Sequence, residues 1–458
     1  MRQTNGFLKP PEENSVVPHS VVNPPIPIMS RLFLILVFAT TVVLTAQRPN
    51  ILLIYTDDQS HRTVGCYPES FDWVRTPNID SLARNGVRFA HAYIGKWHTG
   101  TDTGMGLDWD YQIVWNRPGF TDNSRNYFND QMITFNNGQT RLVEGYSTDN
   151  YTKWAIEFIK DGKGRKDETK PWYLWLCYGA VHGPYTPAPR HVGDYTNAVV
   201  PIPKDIFDPR PGKPSWLQNR SAFRERDGEI MSGKMTFADA VRQYHEGVLA
   251  IDEGVGRLVA ALKESGQLEN TLVVFTSDQG FAWGQHGVRS KLAGYDATIR
   301  APLIISMPGS LPRGQVCERP VGGVDLIPTF HRFAGIELPW QMHGHDLTPL
   351  LRNPQAAWKH PVLIANTWNS FGSDTAVIPA DGGFRAGIPW YVMLRHGRYK
   401  YIHSLLENEP ARHSYQGASS DRYSPTCMAS AVARINGQCC SKVGRWLVQS
   451  SRIASFLS

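Results

Sequence analysis

Four segments of this chain are apolar almost from end to end: Ile51–Tyr55, Trp172–Cys177, Leu272–Phe275 and Pro302–Met307. None shows the in-out alternation of a half-exposed strand. Short uninterrupted apolar runs of this kind suit strands buried on both faces, as in a helix-covered parallel or mixed sheet. A covering helix is legible between the second and third runs. Val241, Tyr244, Val248, Ile251, Val255, Leu258 and Leu262 recur at alternating steps of three and four, one apolar stripe. The stripe reads as a helix packed on the sheet with no chemistry of its own. The expected fold is therefore α/β, a mixed, largely parallel sheet sandwiched by helices. From about Pro361 shorter strands follow, notably Tyr391–Leu394 and Tyr399–Ile402, and these predict a small C-terminal α+β subdomain. No internal repeat stands out.

Charge narrows the function. The net charge of +6 suggests a polyanion partner until its distribution is read. From Ala411 onward six basic residues (Arg412, Arg422, Arg434, Lys442, Arg445 and Arg452) face one acid, Asp421. The rest of the chain is close to neutral, which removes the footprint of a nucleic-acid binder. A hydrophobic fraction of 41% against 19% charged residues excludes a largely disordered polymer. The six cysteines form no Cys-x-x-Cys pair, so neither a zinc ribbon nor a thioredoxin-type site is indicated.

Arg31, the apolar stretch Leu32–Leu44 and the small residues Thr45 and Ala46 follow the pattern of a secretory signal peptide. That stretch is shorter than the ~20 residues a spanning helix needs, so no stable membrane span is expected. The alternative is a buried strand or core helix. Met29 makes a natural start, which would leave Met1–Ile28 as a spurious leader. Sequons at Asn150 and Asn219 are compatible with export. The expected division is residues 1–46 as leader and signal peptide, 47–360 as the catalytic domain, 361–410 as the start of the small subdomain, and 411–458 as a basic tail. The expected location is secreted or periplasmic.

Two of the apolar runs end in carboxylates: Ile51–Tyr55 leads into Thr56-Asp57-Asp58, and Leu272–Phe275 into Thr276-Ser277-Asp278-Gln279. Open α/β sheets place ligands beyond the carboxyl ends of their strands. Neighbouring carboxylates repel and call for a cation, and hard oxygen donors, with the Gln279 carbonyl among them, suit Ca²⁺ or Mg²⁺ better than zinc. An Asp-Asp after a strand also serves as an ordinary turn or helix cap. Loop cations complete the set: Lys96 and His98 in Gly95-Lys96-Trp97-His98, His182 in His182-Gly183-Pro184, and Lys291 after Ser290. Singly, each reads as a solvated lysine or a hydrogen-bonded loop histidine. Together with the strand-end carboxylates they describe a metal-dependent site for an anionic ester.

At this point the chain resembles the formylglycine-dependent sulfatases of the alkaline phosphatase superfamily. The resemblance runs from Arg48-Pro49-Asn50-Ile51 into Asp57-Asp58, then through Thr76-Pro77-Asn78-Ile79-Asp80 and Gly86-Val87-Arg88-Phe89 to Ile94-Gly95-Lys96-Trp97-His98. It continues at His182-Gly183-Pro184, Thr276-Ser277-Asp278-Gln279-Gly280, Lys291 to Pro308, and Arg398-Tyr399-Lys400-Tyr401. Coverage is about Arg48 to Pro410. The resemblance implies Ca²⁺, with Mg²⁺ second, on Asp57, Asp58, Asp278 and Gln279. It implies that Lys96 and His98 contact the nucleophile, His98 acting as the base that releases sulfate. His182 and Lys291 would hold the sulfate and stabilise or protonate the leaving oxygen. The implied substrate is a sulfated small molecule or glycan.

One part is missing. The family's nucleophile is a formylglycine made from Cys in Cys-x-Pro-x-Arg, between the Phe89 region and Gly-Lys-Trp-His. Here Phe89-Ala90-His91-Ala92-Tyr93 joins Ile94-Gly95 directly. Cys66-Tyr67-Pro68-Glu69-Ser70 has Ser where Arg belongs and comes too early, so Cys66 reads as a structural thiol. After Glu409-Pro410 the family's acidic continuation is also replaced by the basic tail. An incorrect gene model would explain leader, gap and tail together. Two rivals stay open: a non-catalytic protein that binds Ca²⁺ or sulfated glycan, and a phosphatase or phosphodiesterase of the same superfamily.

Overall fold

The computed structural model describes residues 48–93, 109–115, 127–405 and 412–415, apart from positions 166, 208, 219, 220, 369, 371 and 381. The signal-peptide pattern, Lys96, His98, Asn219 and most of the basic tail lie outside the described residues.

A six-stranded sheet forms the centre. Its strands are β1 (Asn50–Thr56), β2 (Gly86–Phe89), β3 (Tyr173–Cys177), β4 (Thr271–Ser277), β5 (Leu303–Ser306) and β6 (Gln315–Cys317), in the order β6-β2-β5-β4-β1-β3. β1 runs parallel to both β3 and β4, and β6 parallel to β2, while β5 is antiparallel to its two neighbours. The expected mixed, largely parallel sheet is what forms. All seven residues of β4 are buried, and six of seven in β1, which is why neither alternates in sequence.

One face carries helices α1 (Pro77–Arg84), α2 (Ser147–Asp161) and α3 (Phe237–Glu264), packed with Leu52, Ile54, Val273 and Phe275 in one apolar cluster. Every residue of the α3 stripe is buried. The opposite face, with Ile51, Leu53, Leu272 and Val274, packs on helices α4 (Leu326–Ala334) and α5 (Thr348–Arg352). Burying both faces at ~25 cal/mol per Å² of apolar surface is the main source of cohesion.

The C-terminal strands β7 (Val362–Asn366), β8 (Tyr391–His396), β9 (Tyr399–Ser404) and β10 (Arg412–Tyr415) form a separate antiparallel sheet. Its residues Val362, Tyr391 and Met393 share an apolar cluster with Leu217, Ala282 and Val288 of the main body. β10 belongs to the segment assigned from sequence to the basic tail, so the sheet extends past that boundary. No helix among the described residues is long and apolar enough to cross a membrane.

Candidate active site

The register of β1 on β4 sets the site. Thr56 lies opposite Ser277, so the chain leaves both strands at one level and Asp57-Asp58 emerges beside Asp278. Cross-bonds lock the two ends. The Asp278 amide donates to the Thr56 carbonyl at 3.0 Å, the Asp58 amide to Asp278 Oδ1 at 2.7 Å, and the Gln59 amide to Ser277 Oγ at 2.9 Å. Asp58 takes a left-handed backbone (φ 58°), a conformation Asp tolerates better than most residues and one concentrated at functional sites. Gly280 is fixed by closeness rather than flexibility: a Cβ there would stand 2.5 Å from the Arg300 carbonyl oxygen.

Asp58 is the hub. Its side chain, 3% exposed, accepts from Lys291 Nζ at 2.8 Å (Oδ1) and 2.7 Å (Oδ2), and from Gln279 Nε2 at 2.7 Å. His182 Nε2 stands 3.5 Å from Asp58 Oδ2. His182 Nδ1 faces the Gly183 carbonyl at 2.9 Å, and a carbonyl can only accept. Nδ1 therefore carries a hydrogen, and Nε2 faces the carboxylate cluster. The imidazole is stacked on Tyr127, centroids 4.4 Å apart and planes 10° from parallel.

Ligand atoms of Asp57, Asp58 and His182 all lie within 4.8 Å of one another. This cluster can hold a metal ion. The donor set around it is dominated by oxygen, with Asp278 bonded to the Asp58 amide and the Gln279 amide within reach of the same carboxylate. Half a turn of that amide would present its carbonyl oxygen instead of its nitrogen. Three neighbouring carboxylates, two of them almost fully buried, meet the Lys291 ammonium among the described residues, and a divalent cation suits such a cluster of hard oxygen donors.

The structure thus gathers six of the eight residues singled out from sequence, Asp57, Asp58, Asp278, Gln279, His182 and Lys291, and the other two are not described. Sequence reading missed Tyr244 and Tyr127. The Tyr244 hydroxyl donates to the Asp58 carbonyl at 2.6 Å and accepts from the Ser60 amide at 2.8 Å. The stripe helix therefore does position the carboxylate turn. Its one tyrosine among aliphatic stripe residues was the available signal, since a buried tyrosine hydroxyl needs a partner.

Cys66 is partly buried and unpaired with any sulfur, its amide bonded to Asp80 Oδ1 at 2.9 Å. Burial, with the Asp80 charge beside it, pushes the thiol up to about 12, so it stays protonated at neutral pH.

A family model described as Sulfatase matches residues 89–336, more than half of the chain. An N-acetylglucosamine-6-O-sulfatase of Bacteroides thetaiotaomicron is 28% identical over 407 residues, covering 67% of this chain and 71% of that protein. The N-acetylglucosamine-6-sulfatase of Homo sapiens is 27% identical over 311 residues, 65% of this chain and 54% of that protein. The chain thus spans only about half the length of its mammalian relative. Among solved structures, a protein in complex with its substrate D-glucosamine-2-N,6-O-disulfate superposes with a TM-score of 0.63 at 22% identity, covering 89% of this chain and 97% of that one. A phosphonate monoester hydrolase of Agrobacterium radiobacter superposes with a TM-score of 0.58 at 18% identity, covering 85% and 95%. Those two likenesses carry the fold alone.

Proposed function

Because the chain belongs to the sulfatase family, we propose that its carboxylate cluster is the metal half of a site for hydrolysing a sulfate ester on a glycan. The observation that carries this reading is the convergence of Asp57, Asp58, Asp278, Gln279, His182 and Lys291 at the ends of β1 and β4. Ca²⁺ is the preferred ion and Mg²⁺ the second, because the donors are hard oxygens and their number exceeds what Mg²⁺ usually takes from protein. When bound, the ion would offset the carboxylate charge and polarise a sulfate oxygen. Lys291, already seated on Asp58, supplies a positive charge for the sulfate. His182, its Nδ1 hydrogen held by Gly183, presents Nε2 for moving a proton to or from the leaving oxygen. Lys96 and His98 would contact the nucleophile, by resemblance.

The glycan reading is supported by the names of the N-acetylglucosamine-6-sulfatase relatives. Export is supported by the Arg31–Ala46 pattern and by relatives such as the Drosophila melanogaster protein named extracellular sulfatase SULF-1 homolog. The attacking group is what this sequence lacks: no Cys-x-Pro-x-Arg occurs, and Cys66 holds its proton. Without a nucleophile only binding and electrostatic terms remain, so this chain should turn over a generic aryl sulfate at background. The gene across the Tyr93 and Ile94 codons tests the reading. An in-frame genomic stretch encoding Cys-x-Pro-x-Arg supports a sulfatase, and a chain carrying it should hydrolyse N-acetylglucosamine 6-sulfate. A contiguous codon junction in genome and transcript overturns it in favour of a non-catalytic protein that binds Ca²⁺ or sulfated glycan.

A further inference from the structure

A cleft of about 350 Å³ opens between helix α2 and the hairpin formed by strands Asn129–Phe135 and Thr140–Tyr146. No residue of the carboxylate site lines it. Its walls combine aromatic rings (Tyr111, Phe135 and Trp154) with cations (Arg141, Lys153 and Lys163) and one acid, Glu157. The rings are held. Trp154 meets Phe135 edge-on at 5.7 Å and stacks on Tyr151 at 5.7 Å. Tyr111 lies against Gly164, where any Cβ would come within 2.3 Å of the ring. The charges are not all balanced. Lys163 pairs with Glu157 at 2.5 Å, whereas Arg141 and Lys153 have no acidic partner among the described residues. The Arg141 guanidinium sits instead 4.5 Å above the Phe135 ring. Asn137 and Gln139 add amide groups at the rim.

A ligand matched to this lining has apolar ring faces for the aromatic walls, hydroxyls for the amides, and anions for the two uncompensated cations. An extended phosphate backbone would need a basic track running beyond the cleft, whereas the Arg141 and Lys153 pair matches a single sulfated unit. A sulfated sugar meets all three demands. The hairpin also links the cleft to the site already described. Tyr127, the stacking partner of His182, precedes its first strand by two residues, and Phe135 closes that strand, ~20 Å from its start at ~3.3 Å per residue.

We propose that this cleft is a second, non-catalytic binding site for a sulfated saccharide unit, so that a chain-like glycan is held at two points along one hairpin. The proposal rests on the glycan reading for its ligand class. Calorimetry tests it with two probes on the full chain: N-acetylglucosamine 6-sulfate, and a hexasaccharide of N-acetylglucosamine 6-sulfate units. Arg141→Glu with Lys153→Glu should weaken hexasaccharide binding about tenfold or more, as two charge-assisted contacts become repulsive, and leave the monosaccharide unchanged. A charge-matched control, Arg313→Glu with Arg352→Glu, should stay within about twofold of wild type, since exposed charges distant from the ligand contribute little. Hexasaccharide affinity unchanged in the cleft variant, or lost equally in the control, overturns the second site and leaves the glycan reading standing. Hexasaccharide binding that depends on the cleft, with none of the monosaccharide, supports the second site while the carboxylate-site reading falls. No binding of either probe by wild type overturns both.

Discussion

Replacing Lys291 with Met removes the ammonium that faces Asp58 while keeping the length and apolar stem of the side chain. Asp58 is 3% exposed and Lys291 19%, so the pair is largely desolvated. Removing one partner of a buried pair leaves an uncompensated charge and costs ~3–5 kcal/mol. The partial exposure of Lys291 and the surviving Gln279 bond place the expected cost at the low end, ~3 kcal/mol. With an unfolding entropy of ~2.1 cal/mol/K per residue over roughly 400 residues, that is a fall in Tm of ~4 °C. The measurement is thermal unfolding in chelator and again in excess Ca²⁺. In chelator K291M should melt ~4 °C below wild type. In Ca²⁺ the gap should narrow to about half, because the cation supplies the missing positive charge and binding about tenfold tighter to K291M than to wild type returns ~1.4 kcal/mol. Equal melting in chelator would show that the pair is not compensating Asp58. A gap that Ca²⁺ leaves untouched would refute the link between that carboxylate and a cation.

Three further outcomes are expected. Asp278→Ala removes the acceptor of the Asp58 amide bond and one oxygen donor, so Ca²⁺ affinity by calorimetry should fall about tenfold or more; equal heats would count against the assigned ligand set. His245 is buried among Phe71, Trp73 and Tyr244 with Nδ1 on the Val241 carbonyl, and burial lowers it from 6.5 to about 4. Its stabilising effect is therefore complete above pH ~6.5 and lost as pH falls towards ~4, up to ~3 kcal/mol. His245→Gln should flatten that part of the urea-midpoint profile, and an unchanged profile would sink the assignment. Gly280→Ala drives a Cβ to 2.5 Å from one Arg300 backbone atom and 2.9 Å from another, and should lower stability by ~2 kcal/mol in urea unfolding, with an unaltered midpoint as the contrary result.

The sheet was legible because double burial leaves a distinctive trace. Residues of β1 and β4 cannot alternate when both faces pack on helices, and their carboxylates stand out against the apolar runs they terminate. Neighbour relations were not legible. Nothing local says that β1 lies beside a strand some 220 positions later, or that β5 inserts antiparallel between β4 and β2. Tyr127 stacks on His182 from 55 residues away, on a hairpin whose sequence carries no motif. Tyr244 was placed correctly in the core, but periodicity reports only which face a residue occupies, and its hydroxyl bonds depend on where the Asp58 turn arrives. β10 escaped notice for the opposite reason: Arg412-His413-Ser414-Tyr415 has no apolar signature, and its pairing follows from the neighbouring strand.

The distribution of backbone strain bears on whether the Asp58–Lys291 pair exists for stability or for chemistry. Asp58 has φ 58°, and the residues flanking Lys291, Ser290 and Leu292, have φ 78° and 94°. For non-glycine residues such conformations cost ~1–3 kcal/mol each. Both ends of one ion pair are thus delivered by unfavourable backbone, although an apolar pair of similar volume is often at least as stable in such a position. Stability alone does not account for that arrangement. A requirement that does is the fixed placement of an ammonium group and a carboxylate against a third, charged species. On the proposed reading, Asp57 and Asp278 beside Asp58 would meet a cation, and Lys291 with His182 would meet the anion. Strain, clustered carboxylates and strand register then converge on the same few ångströms at the carboxyl ends of β1 and β4, which is where an open α/β sheet places its ligand.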